Sequence, residues 1–215
     1  MSGGRTTTPA SPMWARLRGG GPTGNEALTT ITAVLLLGLL AAEGVTIVRI
    51  GQLLSPHLFI GLVLVPVIAL KVASTGHRLV RYYTGSEPYV SKGPPELVLR
   101  VLGPLVVLTS VAVLGTGVWM LVAGPSSRPT VLPLHRYAFF AWLAVMSVHV
   151  LGHLPGIPAG LRIDFGAAGG RVRGRSARLG ALLAATAVGL ALALLLEPLY
   201  GAWLHGHFHH FHHFG

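Results

Sequence analysis

Cysteine is absent from the 215-residue chain. Its absence excludes disulfides, thiolate zinc sites, cysteine-ligated iron–sulfur clusters and covalent c-type haem attachment. Charge is scarce as well. Asp, Glu, Lys and Arg make up 10% of the residues, where a soluble domain carries about 25%. No G-x-G-x-x-G follows a strand-like run, and no soluble domain is left over to house a nucleotide or flavin. Acidic residues number six against 16 Lys and Arg, a formal net charge of +10. Such an excess can mark a nucleic-acid binder. Here the basic residues lie in loops flanking apolar runs, where they set membrane topology instead. No nucleic-acid partner is expected.

What the chain does have is apolar length. Hydrophobic residues make up 52% of it, gathered into five runs near the roughly 20 residues that a bilayer core demands. The runs cover about 28–49, 56–77, 97–123, 133–154 and 179–203. This pattern predicts an all-α integral membrane bundle of five transmembrane helices: a four-helix core and one C-terminal helix. Residues 1–27 are rich in Gly, Pro, Ser and Thr with no apolar period, and read as a disordered tail. The membrane domain then occupies 28–203, and 204–215 form a histidine-rich tail.

Charge asymmetry sets the orientation. Arg5, Arg16, Arg18, Arg78, Arg81, Lys92, Arg100, Arg162, Arg171, Arg173, Arg175 and Arg178 fall on one side of the five runs. Only Arg49, Arg128 and Arg136 fall on the other. By the positive-inside rule the N-terminus is cytoplasmic and the C-terminus external, in a multi-pass plasma (inner) membrane protein. The second and fourth runs then cross in the same direction.

Both of those runs begin with a histidine just past a proline, Pro56-His57 and Pro133-Leu134-His135. An ionisable side chain within the membrane is a functional-site candidate. Two such histidines at one depth on neighbouring helices can clamp a haem iron from both faces. At about 100° per residue, His135, His149 and His153 share one helix face, and fourteen residues rise about 21 Å. A second, cytoplasmic-side haem would therefore use His149 or His153 with His77. On the face of His57, fourteen residues on, stands Lys71 rather than a histidine. One external haem b is the first expectation and a second the lesser one. The plainer reading makes all five interfacial histidines, hydrogen-bonded at helix ends.

Other residues join the candidate set. Gly103 and Gly117 are fourteen apart and would let a helix approach a flat ligand closely. Glu43 and Glu197 lie about 9–10 Å inside the external ends of their runs, where a carboxylate can orient a ligating imidazole. Arg136 can pair with a haem propionate. The tail carries His205, His207, His209, His210, His212 and His213 among phenylalanines, a composition that takes up Zn, Cu or Ni weakly.

The pattern resembles the membrane-bound di-haem cytochrome b superfamily. The likeness rests on the His135/His149 and Gly103/Gly117 spacings and on Pro56-His57 with Gly61. The stretches STGHRLVRYYTG (74–85) and KGPPELVLRVLGP (92–104) are also similar to actinobacterial cytochrome b-like integral membrane proteins. The resemblance spans 28–154. It implies an electron-transfer subunit of an oxidoreductase complex, passing electrons between membrane quinol and a partner redox protein, with membrane lipid around it. Two alternatives stand beside it: a metal-ion-handling membrane protein that uses the tail, and a non-catalytic assembly subunit.

Overall fold

The computed structural model describes residues 21–93, 97–166 and 172–208. Among them every regular element is a helix. The elements are α1 (Gly21–Val48), α2 (Ile50–Tyr83), α3 (Glu87–Val90), α4 (Leu97–Ala123), α5 (Arg128–His153), α6 (Ile157–Phe165), α7 (Arg175–Leu195) and α8 (Tyr200–Phe208). Five stretches are long and apolar enough to cross a membrane: 21–48, 50–83, 100–123, 125–165 and 175–195. Their outward faces are apolar too, with Leu108, Val111, Phe140 and Leu195 all more than 60% exposed. A surface of this kind is solvated by lipid tails. The protein is a multi-pass membrane helical bundle.

Two helical hairpins organise the bundle. In the first, α1 and α2 turn over between Arg49 and Pro56. Leu53 leaves helical geometry there (φ −115°, ψ 28°), because the Pro56 ring removes a helical hydrogen bond and crowds the preceding turn. Pro66, farther along α2, produces no such break. In the second, α4 and α5 are joined by Gly124 and a 3₁₀ turn at Pro125–Ser127. Gly124 has φ +78°, a conformation that costs glycine little. The Ser127 hydroxyl closes the turn on the Gly124 carbonyl at 2.7 Å.

Helix α2 is the centre. It packs on α1 and α7, while α4 and α5 pack chiefly on each other and α4 meets α2 along a thinner seam. Leu62, Val63, Leu121, Ala193 and Tyr200 form one buried cluster, and Leu36, Leu64 and Val67 a second. Helices α7 and α2 cross in near-contact. A Cβ added to Gly189 would lie 2.8 Å from the Val63 carbonyl oxygen. Gly189→Val should therefore cost about 1–3 kcal/mol through overpacking, read as a lower unfolding temperature in detergent. Gly103→Val should cost little, since nothing lies within 4 Å of its Cβ position.

Several boundaries differ from the sequence expectation: α2 covers Ile50–Tyr83 where the run covers 56–77, and α5 starts at Arg128 rather than 133. Helix α1 starts at Gly21, about two turns before the first apolar run. Pro22 stands in its first turn, where the missing N–H is not needed. The fifth run is not one helix. Pro198 ends it: α7 stops at Leu195, Glu197–Leu199 make a 3₁₀ turn, and α8 follows. The Tyr200 hydroxyl donates to the Ala193 carbonyl at 3.0 Å across this bend, and α8 folds back under α2.

At the other pole, α6 lies on α1 and connects to α7. Asp164 and Arg178 are buried, with side chains 0% exposed. Arg178 donates from Nε to Asp164 Oδ2 at 3.0 Å and from Nη2 to Oδ1, a two-pronged pair. It also donates from Nη1 to the Arg173 carbonyl at 2.9 Å. The pair knits the connection between α6 and α7 where it returns to the bundle.

Candidate functional site

His57 enters near the start of α2 and His135 near the start of α5, and both line one cavity of about 320 Å³ between the hairpins. The ring centres are 6.4 Å apart and the planes nearly perpendicular, at 81°. Each ring is held from the preceding helix of its own hairpin. His57 Nδ1 lies 2.9 Å from Glu43 Oε1 and 3.2 Å from Thr46 Oγ1. His135 Nδ1 lies 3.0 Å from Thr116 Oγ1.

These bonds fix which ring nitrogen carries the proton. An ionised carboxylate only accepts hydrogen bonds, so His57 Nδ1–H donates to Glu43. The Thr46 hydroxyl spends its one proton within α1, donating to the Glu43 carbonyl at 2.7 Å. Thr116 likewise donates to the Ala112 carbonyl at 2.7 Å, so its lone pair is left to accept from His135 Nδ1–H. Both imidazoles are thereby anchored through Nδ1, an arrangement in which Nε2 is the nitrogen left to bind a metal.

The cavity wall is apolar, with leucines from α1, α2 and α4, and its rim is basic. Arg136 lines it as the sequence suggested, and Arg128 lines it too. Gly117 presses on the site: a Cβ there would stand 3.3 Å from His135 Cε1. A Cβ on Gly61 would meet Glu43 Oε1 at 3.7 Å. Gly117→Leu should displace the His135 ring and destabilise the fold by about 1–3 kcal/mol through overpacking, read as a lower unfolding temperature in detergent.

The remaining candidates are placed elsewhere. Gly103 touches no part of the site. Glu197 is exposed in the 3₁₀ turn, where its charge acts on Tyr200. His77 packs edge-on to Tyr89, with ring centres 5.8 Å apart. His149 packs against His153 at 4.6 Å on the same helix. Lys71 donates to the Thr29 carbonyl at 2.8 Å. Of the tail histidines, His205 and His207 fall on the backbone of α8, and His209, His210, His212 and His213 lie outside the described residues. Among the described residues no group of three or more His, Asp or Glu is arranged to hold a bare metal ion.

Sequence reasoning missed Thr46, Thr116, Arg128 and Trp203. The threonines carry a signal, being polar residues on the helix before each histidine-bearing helix. Trp203 carries none, because only the bend at Pro198 brings α8 back beneath the cavity. The chain matches no family model, no curated protein and no solved structure, so its function is read from the site.

Proposed function

We propose that the protein is a b-type haem-binding membrane subunit that carries electrons between membrane quinol and a partner redox protein. The observation that carries this reading is the 6.4 Å separation of the His57 and His135 rings. Two metal–imidazole bonds of about 2 Å, with about 1.1 Å from each nitrogen to its ring centre, would set imidazoles on opposite sides of one metal about 6.2 Å apart. The match is close, and the bonds to Glu43, Thr46 and Thr116 use only the Nδ1 atoms.

The surroundings fit a planar amphiphilic group better than a bare ion. A two-coordinate ion needs no cavity, whereas this pair lines about 320 Å³ of mostly apolar space, within the range of cofactor sites. Arg128 and Arg136 stand at the rim, as counter-ions to two propionates. Trp203 lines the same space, and its Nε1 is buried with no hydrogen-bond partner. A carboxylate oxygen would satisfy it.

Haem supplies a one-electron carrier when bound. The chain's own residues supply the rest. Glu43 and Thr116 hold the imidazoles in orientation and tautomer, and the carboxylate bond to His57 raises that ring's basicity, favouring the ferric state. The leucine wall excludes water, which keeps reorganisation small. If His57 and His135 both held the iron, no position would be left for oxygen, which suits electron transfer. The excess of basic residues on one side supports a cytoplasmic N-terminus and a haem near the external face. A pyridine haemochromogen assay on detergent-purified protein should find one b haem per chain. Two per chain would show that His77, His149 or His153 also ligate iron, and none from haem-supplied cells would defeat the reading.

A further inference from the structure

The pole opposite the His57–His135 site collects nitrogen donors that the electron-transfer reading leaves unused. Helices α2 and α5 run parallel, and the pairing of His57 with His135 continues one level down as Lys71 with His149. Lys71 lies near enough for its charge to be felt at the His149 ring. Lys71 uses one of its three protons on the Thr29 carbonyl at 2.8 Å and keeps two. His149 Nδ1 is buried without a hydrogen-bond partner.

Arg100 completes the group from α4. The α4–α5 contacts Thr116–His135 and Ser110–Trp142 set an antiparallel register that brings Arg100 level with His149–His153. Arg100 also stands two heptads from Leu114 and three from Leu121, residues of α4 packed on the α2 clusters, so it shares their face toward α2. Its Nε is buried and likewise lacks a partner. Of the described acids at this pole, Asp164 is bound by Arg178 and Glu26 by Lys92, and Glu87 stands exposed on α3. Buried donors without acceptors are rare and costly.

We infer that Arg100, Lys71 and His149 form a site for the phosphate group of an anionic phospholipid, seated in the seam between α2, α4 and α5. A phosphate offers several acceptor oxygens to the Arg fork and the ammonium together. Basic pockets between membrane helices recruit such headgroups, and the apolar flanks of α4 and α5 lie open to take the acyl chains. Lipid is favoured over free phosphate because the donors lie at the end of apolar spans. The inference is independent of haem.

Lipid titration of the full-length protein in neutral detergent tests it, read by thermal shift and native mass spectrometry. Phosphatidylglycerol should stabilise the protein and remain bound, while phosphatidylcholine and inorganic phosphate should do neither. Arg100→Gln should weaken phosphatidylglycerol binding about tenfold, the size expected for a charge-assisted bond. Arg100→Lys should weaken it less, and Arg49→Gln, at the other pole, not at all. Equal stabilisation by phosphatidylcholine would overturn the inference. So would unchanged phosphatidylglycerol binding in Arg100→Gln, and so would an effect reproduced by inorganic phosphate. Should Arg100→Gln fail to fold, Lys71→Met and His149→Phe test the same seam, and unweakened binding in both would overturn it equally.

Discussion

His57→Ala and His135→Ala should each yield protein without the sharp absorption bands of six-coordinate b haem. On the proposed reading, loss of one imidazole would leave the iron with a single protein ligand, and among the described residues no other histidine lines the cavity to replace it. The supporting bonds should be graded below this. Thr116→Val removes the acceptor for His135 Nδ1–H, and Glu43→Leu the acceptor for His57. Each should cost about 10–100-fold in haem affinity, as partners of metal-bound histidines do. Retention of the full spectrum in either histidine variant would remove the ligand assignment. Normal folding, checked by circular dichroism and size-exclusion elution, separates ligand loss from collapse. The check is needed because the cavity shares Leu62, Leu64 and Leu121 with the buried clusters.

The second large effect is on stability. Asp164→Ala leaves the Arg178 guanidinium buried at 0% exposure without its counter-charge, and should destabilise the protein by about 3–5 kcal/mol. Replacing both partners, Asp164→Leu with Arg178→Met, removes both desolvation penalties and should recover most of that loss. Thermal unfolding in detergent reads both variants. If the double variant is no better than the single one, the pair is not acting as an isolated buried ion pair. A haem band that survives in Asp164→Ala at low temperature would show that this pole supports the fold and not the cofactor.

The helical bundle was legible because bilayer thickness imposes a length on each apolar run and leaves little choice of secondary structure. His57 and His135 were legible for the same reason, since polar rings stand out against apolar spans and prolines mark the helix starts. Phase along a straight helix also placed Lys71 at the level of His149, and the electrostatic contact between them agrees with it. The depth of each residue along its helix could be counted. What could not be counted was lateral neighbourhood. The pairing of Glu43 and Thr46 with His57, of Thr116 with His135, and the return of Trp203 depend on how hairpins close and where Pro198 breaks the last run. Arg178 read as one of the basic residues flanking the spans, because nothing local says that α6 will lie on α1 and bring Asp164 against it. Gly103 looked equivalent to Gly117, yet only the latter meets a histidine ring. Equal spacing along one helix does not guarantee an equal partner on the next.

The rings of His57 and His135, proposed to share one iron, stand nearly perpendicular at 81°, each held by its own partner, Glu43 or Thr116. Low-temperature electron paramagnetic resonance of the oxidised, detergent-purified protein reads both ligand number and ring orientation. The account predicts a low-spin ferric signal of strong anisotropy, the signature of two near-perpendicular axial imidazoles. A high-spin signal would show that only one histidine is bound, and protein free of iron after expression with added haem would contradict the claim altogether.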